Sequence, residues 1–168
     1  MKRRSLICLY FIAVFFVGNT YAQSWKIKTE NADYIHRAIK QVTDVMVYDI
    51  YSPPVTSRTY AYISVAAYET LIHANPGYIS LAGHLHGLQT SPAPQKGKDY
   101  SYTLAAVHAL LTVGKTFVIS EKKIDDFEKL MMDEFKKNGI PQQVFDSSIS
   151  YGKKIADHIL AWAKKDNY

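Results

Sequence analysis

Cysteine is almost missing from this 168-residue chain. Its one thiol, Cys8, lies inside the apolar run Ser5 to Gly18 near the N-terminus. A lipoprotein signal would place the cysteine after that run, so lipidation is not expected. A chain that has shed this segment has no thiol at all, which excludes disulfides, cysteine nucleophiles and cysteine-ligated metal sites. Also lacking are any strand alternation of useful length, any internal repeat and any low-complexity tract. Basic clusters are missing too. The lysines are scattered, aromatic residues do not interleave with them, and beyond the N-terminal segment only Arg37 and Arg58 occur, which argues against nucleic-acid binding. Finally, formal charge is missing from two long stretches, Arg58 to Glu69 and Asp99 to Lys115.

The N-terminus carries a secretory pattern. Lys2, Arg3 and Arg4 precede the apolar run, and Thr20-Tyr21-Ala22 places small residues at the −3 and −1 positions of a cleavage site. The run is shorter than the roughly 20 residues a spanning helix needs. Residues 1–22 therefore read as a signal peptide and residues 23–168 as one helical domain, periplasmic or secreted, with no stable membrane span once the leader is removed. Cleavage would lower the formal net charge from +5 to +2, because residues 1–22 hold three cations and no acid. The remainder is long enough for one domain with a real core.

Five helices are predicted. Ile35, Ala38, Ile39, Val42, Val45, Met46 and Ile50 recur at three- and four-residue steps, so a helix spans about 31–50, with Asn31 as N-cap and Ser52-Pro53-Pro54 as its stop. A second helix at about 56–74 ends at Asn75-Pro76-Gly77. A third spans about 100–118. These two carry the charge-free stretches, so they should be buried nearly all round, at the centre of an all-α bundle. Ser120 caps a fourth helix with Ile124, Phe127, Met131 and Phe135 on one face, and Pro141 opens a fifth with Val144, Ile155, Ile159 and Trp162. Residues 78–99 hold Gly83, Gly87, Pro92, Pro94 and Gly97, and read as loop with at most one short helix before Leu88. Two buried helices against three amphipathic ones is thin cover for a complete protein, which points to an incomplete part of a larger helical fold.

Residues that could carry chemistry are few. Glu69 and His73 are one helical turn apart and could share a metal ion with His84 and His86; the simpler reading is a Glu69–His73 hydrogen bond and two exposed loop histidines, because a metal site needs three or four convergent ligands. His108, in the third helix, reads as a satisfied core residue donating to a carbonyl or a tyrosine hydroxyl, with no nucleophile or carboxylate at a predictable position beside it. Tyr48, Tyr51, Tyr60, Tyr62 and Tyr68 read as core packing, or else as a pocket lining. Asp44 and Asp49 do not share a helix face closely, so no paired-carboxylate mechanism is supported, and the charged run 121–137 reads as a solvated face. No catalytic, cofactor-binding or metal-ligating residue is assigned.

Four segments carry a resemblance: TDVMVYDIYSPPVTSRTYAYISVAAYE (43–69), YISLAGHLHGL (78–88), YTLAAVHALLTVGKTFVISE (102–121) and GKKIADHILAWAKKD (152–166). In order and spacing they resemble the N-terminal helical region of the bacterial vanadium-dependent haloperoxidase and type 2 phosphatidic acid phosphatase superfamily. The resemblance implies halide peroxidation or phosphoester hydrolysis in a full-length member, with vanadate as the cofactor of a haloperoxidase. It also implies three motifs around an oxyanion pocket: Lys-x6-Arg-Pro, Pro-Ser-Gly-His and Ser-Arg-x5-His. None is complete in this chain. Arg37 and Arg58 are not followed by proline and have Glu30 and Tyr51 seven residues before them; Gly83-His84 follows Ala82; Ser57-Arg58 is followed by Ser64 where the histidine would stand. The expectation is a scaffold segment inactive by itself and holding no cofactor, its partner a missing C-terminal catalytic region or another helical chain. The rival expectations are a complete small periplasmic helical module that binds a partner through its aromatic hairpin, and a small metal-binding helical protein.

Overall fold

A computed structural model describes residues 25–166, so the predicted signal peptide lies outside the described residues. After a helical stretch at 25–29 come five helices: α1 (Ala32–Tyr48), α2 (Pro53–Leu71), α3 (Tyr102–Thr116), α4 (Glu121–Lys137) and α5 (Gln142–Ala163). Short 3-10 turns, Ile72–Ala74 and Lys164–Asp166, follow α2 and α5. No strand occurs among the described residues, where an isolated bridge joins Ala82 and Leu85. None of their helices is long and apolar enough to cross a membrane.

α3 is the axis of the bundle and packs against the other four helices. Ten of its fifteen residues are buried, and its one formal charge, Lys115, lies in the last turn. Two glycines set how closely its neighbours approach. A Cβ on Gly152 of α5 would collide with the backbone carbonyl of Ala105, and one on Gly114 of α3 would meet the Val42 side chain of α1. Helix backbones can approach this closely only where a side chain is absent.

α2 departs from the expectation of near-complete burial. Tyr62, Ile63, Val65, Ala66 and Ala67 face inward, but Ser57, Ala61 and Ser64 form an exposed stripe. Small uncharged side chains tolerate water, so the absence of charge did not require burial there. The Pro-Pro pair lies past the end of α1, whose C-cap is Asp49. It occupies the first turn of α2, where the missing N–H would be unpaired anyway.

The ends of α1 and α4 hold two further differences. α1 closes in a Schellman arrangement, with Tyr51 N–H donating to the Met46 carbonyl (3.0 Å) and Ile50 N–H to that of Val47 (3.1 Å), which puts Ile50 at φ 58°. Ser120 makes no side-chain cap for α4. Asp49 instead accepts from Ile119 N–H (2.8 Å), Ser120 N–H (3.0 Å) and the Ser120 hydroxyl (2.5 Å), tying the end of α1 to the start of α4. Residues 78–88 form turns, without the short helix allowed for in the sequence reading.

Candidate functional site

Glu69 is the buried polar centre of the fold. It sits on the inward face of α2 with no exposed surface. Its carboxylate receives the Leu81 N–H (2.7 Å) and the Ser91 hydroxyl (2.7 Å), and the Ser80 hydroxyl lies 2.9 and 3.1 Å from its two oxygens. All these partners come from the 78–99 loop. They satisfy an acceptor that would be costly to bury unpaired. The loop then crosses α5, where Trp162 donates its indole N–H to the His86 carbonyl (3.0 Å) and the His158 ring lies 2.9 Å from the Gln89 carbonyl.

This corrects the sequence reading of Glu69. His73 is not its partner; it is exposed in the 3-10 turn and packs against the Tyr151 ring at 6.3 Å. His84 and His86 are exposed in the loop, and no cluster of three or more metal-ligating side chains occurs among the described residues. No donor to the Glu69 carboxylate lies within a helical turn of it; they lie 11 to 22 residues downstream.

Beside this centre, Tyr151 of α5 is 2 % exposed, ringed by Tyr100, Tyr102 and His73. Its hydroxyl has no hydrogen-bond partner. Burial, with Tyr102 and Glu69 nearby, pushes the phenol far up, so it stays neutral. His108 faces a carboxylate that sequence reasoning did not find: its Nδ1 lies 2.5 Å from Glu128 Oε1, on α4. The tyrosines of the hairpin divide. Tyr62 is core, stacked on Phe117 and donating to Asp166 (2.5 Å); Tyr60 meets the Thr43 hydroxyl (2.7 Å); Tyr68 donates to the Ile79 carbonyl (2.9 Å); Tyr48 is exposed under the Lys123 ammonium. Tyr51 lines an open cavity of about 300 Å³ with Arg58 and Phe117.

Both arginines among the described residues face carboxylates. Arg37 makes a two-pronged pair with Glu134 (2.6 and 3.0 Å) and lies 3.6 Å from Asp33, and its guanidinium holds the Glu134 carboxyl below the usual range. Arg58 lies 3.6 Å from Asp166 and 3.5 Å from the Tyr62 hydroxyl. Asp44 pairs with Lys40, and Lys122 with Asp126, on solvent faces.

No family model matches the chain, and no curated protein does. Among solved structures, a bacterial vanadium-dependent iodoperoxidase superposes with a TM-score of 0.76 at 39% identity, over 81% of this chain and 33% of its own. The chain belongs to the vanadium-dependent haloperoxidase superfamily. It spans about a third of the length of that haloperoxidase relative. The residues described do not fit the vanadate group such an enzyme would hold. An anion with several charged oxygens needs converging cations and donors, yet each guanidinium already faces a carboxylate that would repel it. His108 faces Glu128, and the His158 ring meets a backbone carbonyl.

Proposed function

We propose that this chain is the N-terminal helical scaffold of an exported vanadium-dependent haloperoxidase- or phosphatidic acid phosphatase-like protein, and that its anion chemistry belongs to polypeptide beyond these residues. The observation that carries this reading is a match extending over 81% of the chain but 33% of the iodoperoxidase, combined with arginines committed to carboxylates. A scaffold of this kind holds helices in place and leaves oxidation of halide or hydrolysis of phosphoester to the rest of the protein.

The test is vanadate titration of the purified chain by calorimetry, with iodide oxidation by peroxide followed in parallel. Neither binding nor turnover is expected, and vanadate-dependent turnover would overturn the reading. Export is checked separately, by N-terminal sequencing of the secreted chain. Gln23 is the expected first residue.

A further inference from the structure

The seam between α1 and α4 is only partly filled. These helices run antiparallel, joined by Arg37–Glu134 at one end and Asp49–Ser120 at the other. Between them lies an open groove of about 410 Å³, its lining including Val45, Tyr48, Phe127 and Leu130 together with Asp44, Lys123 and Asp126. α4 sends its main ridge, Ile124, Met131 and Phe135, into the core. Phe127 packs partly against the core, whereas Leu130, three residues on, is 68 % exposed and Tyr48, which lines the same groove, is 64 % exposed. Val47, Ile50 and Ile119, exposed near the Asp49 tie, lie outside the groove lining; with Tyr48 and Leu130 they make five of the eight large exposed hydrophobics among the described residues, all on α1, α4 or the turns at their joined ends. Single exposed apolar residues are ordinary; such a concentration on one helix pair is the mark of an interface.

We infer that this α1–α4 groove is the docking surface for an amphipathic helix from the catalytic portion of the protein, a proposal that rests on the scaffold reading above. Two features select that occupant. The iodoperoxidase that matches this chain carries about two-thirds of its length beyond the matched region, so a homologous module has that much polypeptide to pack against. The charges at the groove are also partly matched. Lys40 holds Asp44 (2.6 Å) and Lys122 holds Asp126 (2.7 Å), while Lys123 lies over the Tyr48 ring and Asp49 accepts hydrogen bonds from Ile119 and Ser120. Among the described residues the Lys123 ammonium pairs with no carboxylate, which suits an amphipathic helix that lays its apolar ridge between the two antiparallel helices and turns an acidic side chain toward Lys123. Ile50 adds to the case: a β-branched residue held at φ 58° and 90 % exposed contributes nothing to the module's own core.

The experiment replaces the matched third of the bacterial iodoperoxidase with this chain and compares maleimide labelling of the thiol introduced by Leu130→Cys in the chimera and in the free chain. Labelling at least tenfold slower in the chimera is expected, and equal rates would overturn the inference. In parallel, Tyr48→Asp with Leu130→Asp should lower vanadate-dependent iodide oxidation by the chimera at least tenfold, while Ile79→Asp, an exposed apolar site in the loop, leaves it within twofold. An active chimera indifferent to the groove substitutions overturns the groove but leaves the scaffold reading standing. An inactive unsubstituted chimera, with the helical signal intact, overturns both. Sedimentation of the free chain closes the remaining route: a dimer broken by Leu130→Asp would make the occupant a second copy and overturn the assignment.

Discussion

Replacing Ile50 should make the free module more stable. The residue sits one past the α1 cap at φ 58°, in the left-handed region. For an L-residue this conformation costs about 1–2 kcal/mol. Glycine adopts it freely, but loses roughly 0.5–1 kcal/mol through the greater freedom of its unfolded chain. The side chain is 90 % exposed, so its removal forfeits only a few tenths of a kcal/mol of burial, about a tenth of the ~2–3 kcal/mol of a fully buried isoleucine. The balance favours Ile50→Gly by about 0.5 kcal/mol, which corresponds to roughly 1–2 °C in Tm for a domain of this size. Ile50→Ala keeps a Cβ and hence the strain, so glycine should exceed alanine by about 1 kcal/mol. Urea unfolding followed by circular dichroism measures both, with the slope unchanged. If Ile50→Gly proves no more stable than Ile50→Ala, the strain is not real and the α1–α4 pair loses one of its marks as an interface.

Three other perturbations test the core, the loop and the carboxylates. Gly152→Ala forces a methyl against the Ala105 carbonyl and should cost about 2–3 kcal/mol in denaturant unfolding; a cost below about 0.5 kcal/mol would mean that α5 and α3 can move apart freely. Glu69→Gln sets an amide among the Ser80, Leu81 and Ser91 donors, and should cost about 2–4 kcal/mol and open residues 80–91 to hydrogen exchange, an opening that an undisturbed loop would contradict. Acid should weaken the fold through Glu134, lowered by its Arg37 hydrogen bond, and Asp49, where burial pulls the carboxyl up but the Ser120 and Ile119 donors hold it low. Because both folded values lie below the unfolded ones, their stabilisation is complete above the ordinary carboxylate value of about 4 and is lost as pH falls through the lower, folded values. The urea midpoint should therefore hold from pH 7 to about 5 and fall below about 4, and Glu134→Gln should flatten that fall; an unchanged pH profile in the variant would show that Glu134 carries no share of it.

The helices were readable because their signals are local. Three- and four-residue apolar steps and Asn31 accepting from Asp33 N–H act within a turn or two of chain. The haloperoxidase resemblance was readable for a similar reason, since it rests on the order of contiguous segments. The polar contacts were not. Glu128 belongs to a charged helix that looks solvated, and nothing within a turn of it indicates that His108 lies 2.5 Å away. Likewise, Asp49 and Ser120 meet across 71 positions.

Composition and periodicity alone thus determined an all-α bundle and its five helices, and the lack of charge marked α2 and α3 alike as candidates for the centre, because burying a charge costs more than a helix can recover. Only the tertiary structure decided which groups face one another: Glu69 turned to the loop, both arginines facing carboxylates, and an apolar seam left open between α1 and α4. Hydrogen bonds and ion pairs act over a few ångströms between residues that are tens of positions apart, so their partners exist only once the chain has closed on itself.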